Sequence, residues 1–224
     1  MYNKVLTIIL IILLIAIIVT VGFLVKGYWD EYTLNKDAQL FLEEFDTIVV
    51  NLAQENVNEE LEKNENIVNN SSGNNSSNNT SNNKIALTYK GFKVVGKLEM
   101  PTINIRYPIL GESEKAKTLE VSVVKIYGPE INQPGNVVIA GHNYNNSLFF
   151  GKNKNLKIGD KIYITDMQGN RVEYTIYNKY YAPEGENSYM TRDTQGKKEV
   201  TLYTCDATGA NRLIVCARAD YWKK

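Results

Sequence analysis

Reactive side chains are scarce in this chain. Its 224 residues include one histidine and two cysteines, and 25 basic residues balance 25 acidic ones to a formal charge of zero. With no net cationic field, no basic run and no ladder of basic and aromatic residues, the composition argues against a nucleic-acid binder driven by phosphate attraction. A cleaved secretion signal is disfavoured too. Its apolar region would span only about 7–15 residues and end at a small-residue cleavage site, and no such site is found here.

What is present at the amino end is a continuous apolar run over residues 5–25, flanked by Lys4 and Lys26. It is long enough to cross a hydrocarbon core of about 30 Å as a helix. We therefore expect a single-pass plasma-membrane anchor over residues 1–27, with membrane lipid as its partner. Lys4 and the α-amino group favour a cytoplasmic amino tail, an extracellular remainder, and Tyr28 and Trp29 at the interface. Residues 28–63 read as a helical stalk: Leu34, Ala38, Phe41, Phe45, Ile48 and Leu52 recur at alternating spacings of four and three on one stripe. That stripe suits a helix packed on the domain or on headgroups better than a coiled coil, which needs three or four heptads. Residues 64–84, nearly all Asn and Ser, carry too little apolar surface to offset the entropy of ordering and read as a flexible linker.

Residues 85–224 have the texture of an all-β domain. Short apolar or alternating runs fall at 92–98, 103–109, 119–126, 136–140, 161–165, 171–177, 199–203 and 212–217. Turn signals such as Pro108-Ile109-Leu110-Gly111, Gln133-Pro134-Gly135-Asn136 and Gln168-Gly169-Asn170 separate many of them. Eight strands at this spacing predict a closed barrel or a sandwich, and about 140 residues bury a core without disulfides. Cys205 ends one run and Arg212 opens the next, a plausible place for a thiolate nucleophile beside a cation able to stabilise an oxyanion. His142, the lone imidazole, closes the run at 136–140. A lone Cys is often a small buried hydrophobe, and a lone His or edge Arg is equally ambiguous taken singly. If Arg212 begins the strand beside Cys205, Cys216 lies four residues further on, about 13 Å at roughly 3.3 Å per residue. A disulfide reaches only about 7 Å between Cα atoms, so Cys205 and Cys216 are expected to stay unbridged.

The segment resembles the sortases, cysteine transpeptidases of Gram-positive cell surfaces. Thr201-Leu202-Tyr203-Thr204-Cys205 is similar to the family's TLxTC, and Asn136-Val137-Val138-Ile139-Ala140-Gly141-His142 to its strand ending in Gly-His. Arg212 in Asn211-Arg212-Leu213-Ile214-Val215 is similar to the arginine opening its last core strand. Further matches run from Val95-Gly96-Lys97-Leu98 to Tyr163-Ile164-Thr165-Asp166. The resemblance implies an eight-stranded sortase-type β-barrel behind an amino-terminal membrane helix. It also implies acyl transfer: Cys205 attacks the Thr carbonyl of an LPxTG-like sorting signal to give a thioacyl-enzyme. His142 then protonates the leaving amine and later accepts a proton from the incoming one. Arg212 stabilises the oxyanion or positions substrate. Thr204 either assists at the oxyanion or substrate or fills a core position.

The implied partners are surface proteins bearing sorting signals, with a peptidoglycan precursor or pilin amine as acceptor. No cofactor is required. Glu112, Glu114, Glu184 and Glu186 fall where some class A relatives bind calcium, but solvated acids are the plainer reading because calcium needs a preformed oxygen cage. The subclass stays open: His142-Asn143-Tyr144 with Phe149-Phe150 is similar to class B, Cys205-Asp206 and the short loop to Arg212 to class A. A Gly-rich segment expected before Gly135 is missing. The alternative is a membrane-tethered, non-catalytic binding module on the same barrel, which would need none of Cys205, His142 and Arg212 in order to fold. Papain-like hydrolases order Cys before His, the reverse of the order here.

Overall fold

The structure, a computed structural model, describes residues 2–69, 87–111, 115–144 and 148–219. Two units are distinguished, Met1–Asp37 and Ala38–Lys224. Helix α1 is assigned over Tyr2–Asn69 and contributes to both. In the first unit, one stretch of α1 is long and apolar enough to cross a membrane. Its most apolar 18-residue window has a mean hydropathy of 3.5, and none of it is buried. A helix is the conformation in which such a run would satisfy its own backbone groups in lipid.

The second unit carries the strands. These are β1 (Thr88–Tyr89), β2 (Phe92–Met100), β3 (Ile105–Gly111), β4 (Val123–Tyr127), β5 (Gly135–Ala140), β6 (Lys161–Asp166), β7 (Arg171–Pro183), β8 (Lys198–Cys205) and β9 (Asn211–Ala219). Short helices α2 (Lys115–Val121) and α3 (Ser188–Thr191) interrupt them. Neighbouring strands follow the order β2-β3-β4-β5-β8-β9-β7-β6, and β6 pairs back onto β2, so eight strands close a barrel. Strand β1 adds only a two-residue pairing at the mouth of β2. Closure removes the exposed edges that an open sheet of this size would present. The interior is filled by alternating apolar residues, among them Leu98, Ile109, Ile139, Ile162, Leu202 and Val215, all fully buried.

Two local differences from the sequence reading have physical causes. The run expected as a strand at 119–126 divides: its first residues finish α2, and the strand begins at Val123. Ser122 marks the break, its amide donating to Thr118 O (3.2 Å) and its hydroxyl to Pro108 O (2.7 Å). Pro108, read as a turn signal, sits inside β3, just before the point at which β4 joins in parallel at Ile109 and Val123. A proline without an N–H is tolerated where no ladder bond is asked of it.

Within the second unit, α1 packs against the barrel through Ala38, Leu42, Phe45 and Val49, all buried, with Phe41 and Ile48 half-buried beside them. This is the expected stripe turned by a few tens of degrees, because a 3.6-residue period drifts from strict 3–4 spacing. Phe41 meets the Tyr89 ring at 5.0 Å, and Gln39 Nε2 donates to Arg106 O at 3.2 Å. Lys97, nearly buried, pairs with Asp46 on the helix, and Glu99 lies 3.7 Å away. Burying Leu42 and Phe45 contributes about 1.5–3 kcal/mol each, far more than the ion pair's exposed half. Helix α1 is described as far as Asn69, within the segment expected as linker; residues 70–84 lie outside the described residues.

Candidate active site

The site grows from two parallel strand ends. Strand β5 runs alongside β8 with Ala140 opposite Tyr203. One residue on, Gly141 N donates to Tyr203 O (3.1 Å), and Thr204 Oγ1 donates to Gly141 O (2.6 Å). The backbone that leads into His142 is thus tied to the two residues before Cys205. Gly141 is required by close approach: a Cβ there would sit 2.9 Å from the Phe150 ring and 3.1 Å from Val123 Cγ1. His142 O accepts from Phe150 N (3.0 Å), and Asn143 Nδ2 donates to Cys205 O (2.9 Å), closing the link between the two strand ends. The His142 ring lies 5.0 Å from that of Tyr144, which in turn packs 5.8 Å from Phe149. Burial, and secondarily Glu120, raise the Tyr144 hydroxyl above its ordinary pKa.

Antiparallel pairing supplies the other neighbour. Across the β8–β9 hairpin Cys205 stands directly opposite Arg212, so the two lie on one face. The connecting loop is held by Asp206, which accepts from Thr208 N (3.0 Å), Thr208 Oγ1 (2.8 Å) and Asn211 Nδ2 (2.9 Å). Those hydrogen bonds, Asn211's foremost, hold its carboxyl down at about 2. Arg212 spends most of its donors locally. Nε donates to Tyr203 OH (2.9 Å), one terminal nitrogen to Gly209 O (2.7 Å) and Asn211 O (3.2 Å), and the other to Glu184 Oε1 (2.5 Å). The guanidinium's pKa is displaced upward: burial opposes its charge, while Tyr203, Cys205 and Glu184 outweigh that cost.

Cys205 is half-buried and Cys216 buried, and neither is bridged. Thr201 stands opposite Cys216, four residues along β8 from Cys205, which is the separation that forbids a disulfide. Burial pushes the Cys216 thiol up, away from the reactive thiolate. A cavity of about 150 Å³ adjoins Cys205 and Thr204 and is walled by Tyr144, Phe150, Tyr181 and Leu213; neither His142 nor Arg212 lines it. Thr204 is almost fully buried, and its one hydroxyl proton is committed to Gly141 O. Of the four acids weighed for calcium, Glu184 pairs with Arg212 and Glu186 accepts from Ser188 N (2.6 Å). Glu112 and Glu114 lie outside the described residues. Among the described residues no group of three or more His, Cys, Asp or Glu is placed to hold a metal ion.

Residues beyond the sequence reading also shape the site. Tyr203, the variable position of TLxTC, carries the Arg212 contact, and its ring stacks on Tyr189 of α3 (5.5 Å, 19°). Behind α3 lies a buried polar cluster. Glu199, 1% exposed, accepts from Arg192 Nε (2.8 Å), Arg218 Nε (2.7 Å) and Tyr177 OH (2.9 Å). Asn136 reaches from β5 to donate to Tyr189 O (2.8 Å) and Met190 O (3.0 Å). A charge buried with this many partners is held, whereas removal of one partner leaves it costly. In the loop before Gly135, Asn132 is buried, donates to Ile164 O and Asn170 O and accepts from Tyr174 OH.

Comparison with known proteins gives consistent matches. A family model described as the sortase domain matches residues 98–220. Sortase A of Listeria monocytogenes is 31% identical over 124 residues, 55% of this chain and 54% of that protein, so the chain spans about half that relative's length. Sortase A from Corynebacterium diphtheriae has a TM-score of 0.53 at 28% identity, covering 59% of this chain and 63% of that one. Sortase C of Clostridium perfringens, solved with the C-terminal cell wall sorting motif, shares the fold at TM-score 0.51 and 24% identity, over 57% of this chain and 70% of its own.

Proposed function

Since the chain belongs to the sortase family, we propose that it is a membrane-anchored cysteine transpeptidase whose nucleophile is Cys205, proton carrier His142 and oxyanion partner Arg212. The observation that carries the reading is the convergence of a half-buried thiol, a guanidinium directly opposite it and the backbone of the only imidazole at the open ends of β8, β9 and β5. In the proposed reaction the Cys205 sulfur bonds to the Thr carbonyl carbon of an LPxTG-like sorting signal. The carbonyl π electrons move to oxygen and the anion meets Arg212. Collapse re-forms the carbonyl and breaks the peptide bond, and the departing amine leaves with a proton from imidazolium His142. A second amine then attacks the thioester, gives its proton to His142 and releases Cys205, so the acyl group is transferred with no net oxidation and no metal.

The donor geometry of Arg212 limits how this works. Both hydrogens of one terminal nitrogen are held by Gly209 and Asn211. The oxyanion must therefore be met from the nitrogen that pairs with Glu184, whose side chain is 70% exposed. That nitrogen carries a second hydrogen, and its carboxylate partner is exposed and cheaply displaced, so substrate is met without unseating the rest of the fork. The committed proton of Thr204 favours its structural role, tying β8 to the strand of His142.

The acyl donor is a surface protein with a sorting signal, and the acceptor an amine of a peptidoglycan precursor or a pilin. The apolar helix inserts in lipid with its amino tail cytoplasmic and the barrel outside. The test is cleavage and transfer of sorting-signal peptides. Cys205→Ala should lose both while staying folded. His142→Ala should fall roughly 10²–10⁴-fold, and Arg212→Lys should fall because a point charge cannot reproduce a planar fork. Substantial turnover by Cys205→Ala would overturn the proposal.

A further inference from the structure

Arg212 is the proposed oxyanion partner, and the inference below rests on that assignment. A guanidinium stabilises a developing charge only if its plane is fixed before the reaction, since reorganisation at the moment of charging cancels the gain. What fixes the plane here is not the hairpin alone. Tyr203 precedes Cys205 by two residues and so projects from the same face of β8. Tyr203 is paired with Ile214 and Cys205 with Arg212, which makes Tyr203 and Arg212 diagonal neighbours across the ladder, a separation aromatic and long side chains can bridge. The phenol oxygen accepts from Nε, the one donor at the stem of the fork, at 2.9 Å. The Gly209 and Asn211 carbonyls hold one arm, and the exposed Glu184 pairs with the other at 2.5 Å.

Tyr203 is itself held. Its ring stacks at 5.5 Å and 19° on Tyr189, which is 3% exposed in a cluster with Val138, Ala182, Ile214 and Cys216. Asn136, anchored in β5, grips the carbonyls of Tyr189 and Met190, and Arg192 ties the end of α3 to buried Glu199. The packing of the segment between β7 and β8 therefore reaches the guanidinium through two rings and one hydrogen bond. We propose that Tyr203 is a positioning residue for Arg212, and that through its stack on Tyr189 the β7–β8 segment sets the orientation of the proposed oxyanion donor.

Tyr203→Phe keeps the ring and its stack and removes the hydroxyl that accepts from Nε and also hydrogen-bonds Tyr189. The measurements are the single-turnover rate of Cys205 acylation by a sorting-signal peptide that the wild type cleaves, and the rate of Cys205 alkylation by iodoacetamide, which forms no tetrahedral oxyanion. We expect Tyr203→Phe to acylate at least tenfold more slowly, to be alkylated within twofold of wild type, and to lose nothing further when added to Arg212→Lys, which has no Nε donor. Wild-type acylation by Tyr203→Phe, an equal loss in both reactions, or full additivity with Arg212→Lys would overturn the inference while leaving the transpeptidase reading intact. An Arg212→Ala variant that acylates at the wild-type rate, or a wild-type protein acylated by none of a panel of sorting-signal peptides, would overturn the reading itself and the inference with it.

Discussion

Gly141 shows how much a single residue can decide. It sits between the end of β5 and His142, under the Phe150 ring, where there is no room for a methyl group. Gly141→Ala should cost about 1–3 kcal/mol by overpacking and should lower turnover as well, because the residue displaced with it is the proposed proton carrier. Chemical denaturation and peptide cleavage would read the two losses. A variant as stable and as active as the parent would show that the Phe150 contact gives way freely. The sequence displayed Gly141 as part of a Gly-His pair without revealing why glycine is needed, since the obstructing ring comes from Phe150, folded back by the Asn143–Phe149 bridge. Thr204 and Tyr203 illustrate the same limit. Alternation told which residues share a face, but the Gly141 acceptor of Thr204 and the Nε donor to Tyr203 arrive from other strands.

Among the elements, the β8–β9 hairpin is the one on which both Cys205 and Arg212 depend. Its loop is pinned by Asp206, whose carboxyl is depressed to about 2 from an ordinary 3.8, chiefly by the Asn211 hydrogen bond. A carboxyl lowered on folding contributes stability that is fully present above the unfolded pKa and is lost as pH falls through the folded one. The expected window thus runs from just above 4 down to about 2. Comparing melting temperatures of wild type and Asp206→Asn should show a gap at pH 5 that narrows steadily toward pH 2; a gap that is constant or widens on acidification would contradict this. Elements differed in how legible they were. Strands β5, β6, β8 and β9 fall within a residue or two of their expected ends because both period and turn residues mark them. By contrast β7 continues past its expected end at Tyr177 to Pro183, across a bulge between Ile176 and Asn178 that lets it pair along the whole of β9. A bulge shifts the alternation by one residue, so a period-2 reading stops there. The α1 stripe was found, yet Leu42 and Val49 were missed, since a strict 3–4 spacing follows a slightly different line on the helix.

In the molecule as a whole, an apolar helix and a closed eight-stranded barrel are joined in one chain, and the proposed site lies at one set of the barrel's strand ends. The barrel was legible as a closed β architecture from eight evenly spaced strands, whereas which ends carry the site became clear only when β5 and β8 proved parallel, bringing Gly141 and Thr204 side by side. In the proposed reaction, acyl transfer passes through a covalent bond to Cys205. Intact mass spectrometry of the protein quenched in acid after mixing with a cleavable sorting-signal peptide tests it most directly. The expected result is an adduct equal in mass to the peptide's amino-side fragment, mapped to Cys205, absent in Cys205→Ala and discharged by an added amine; cleavage that proceeds in Cys205→Ala, or an adduct mapped to Cys216, would contradict a covalent route through Cys205.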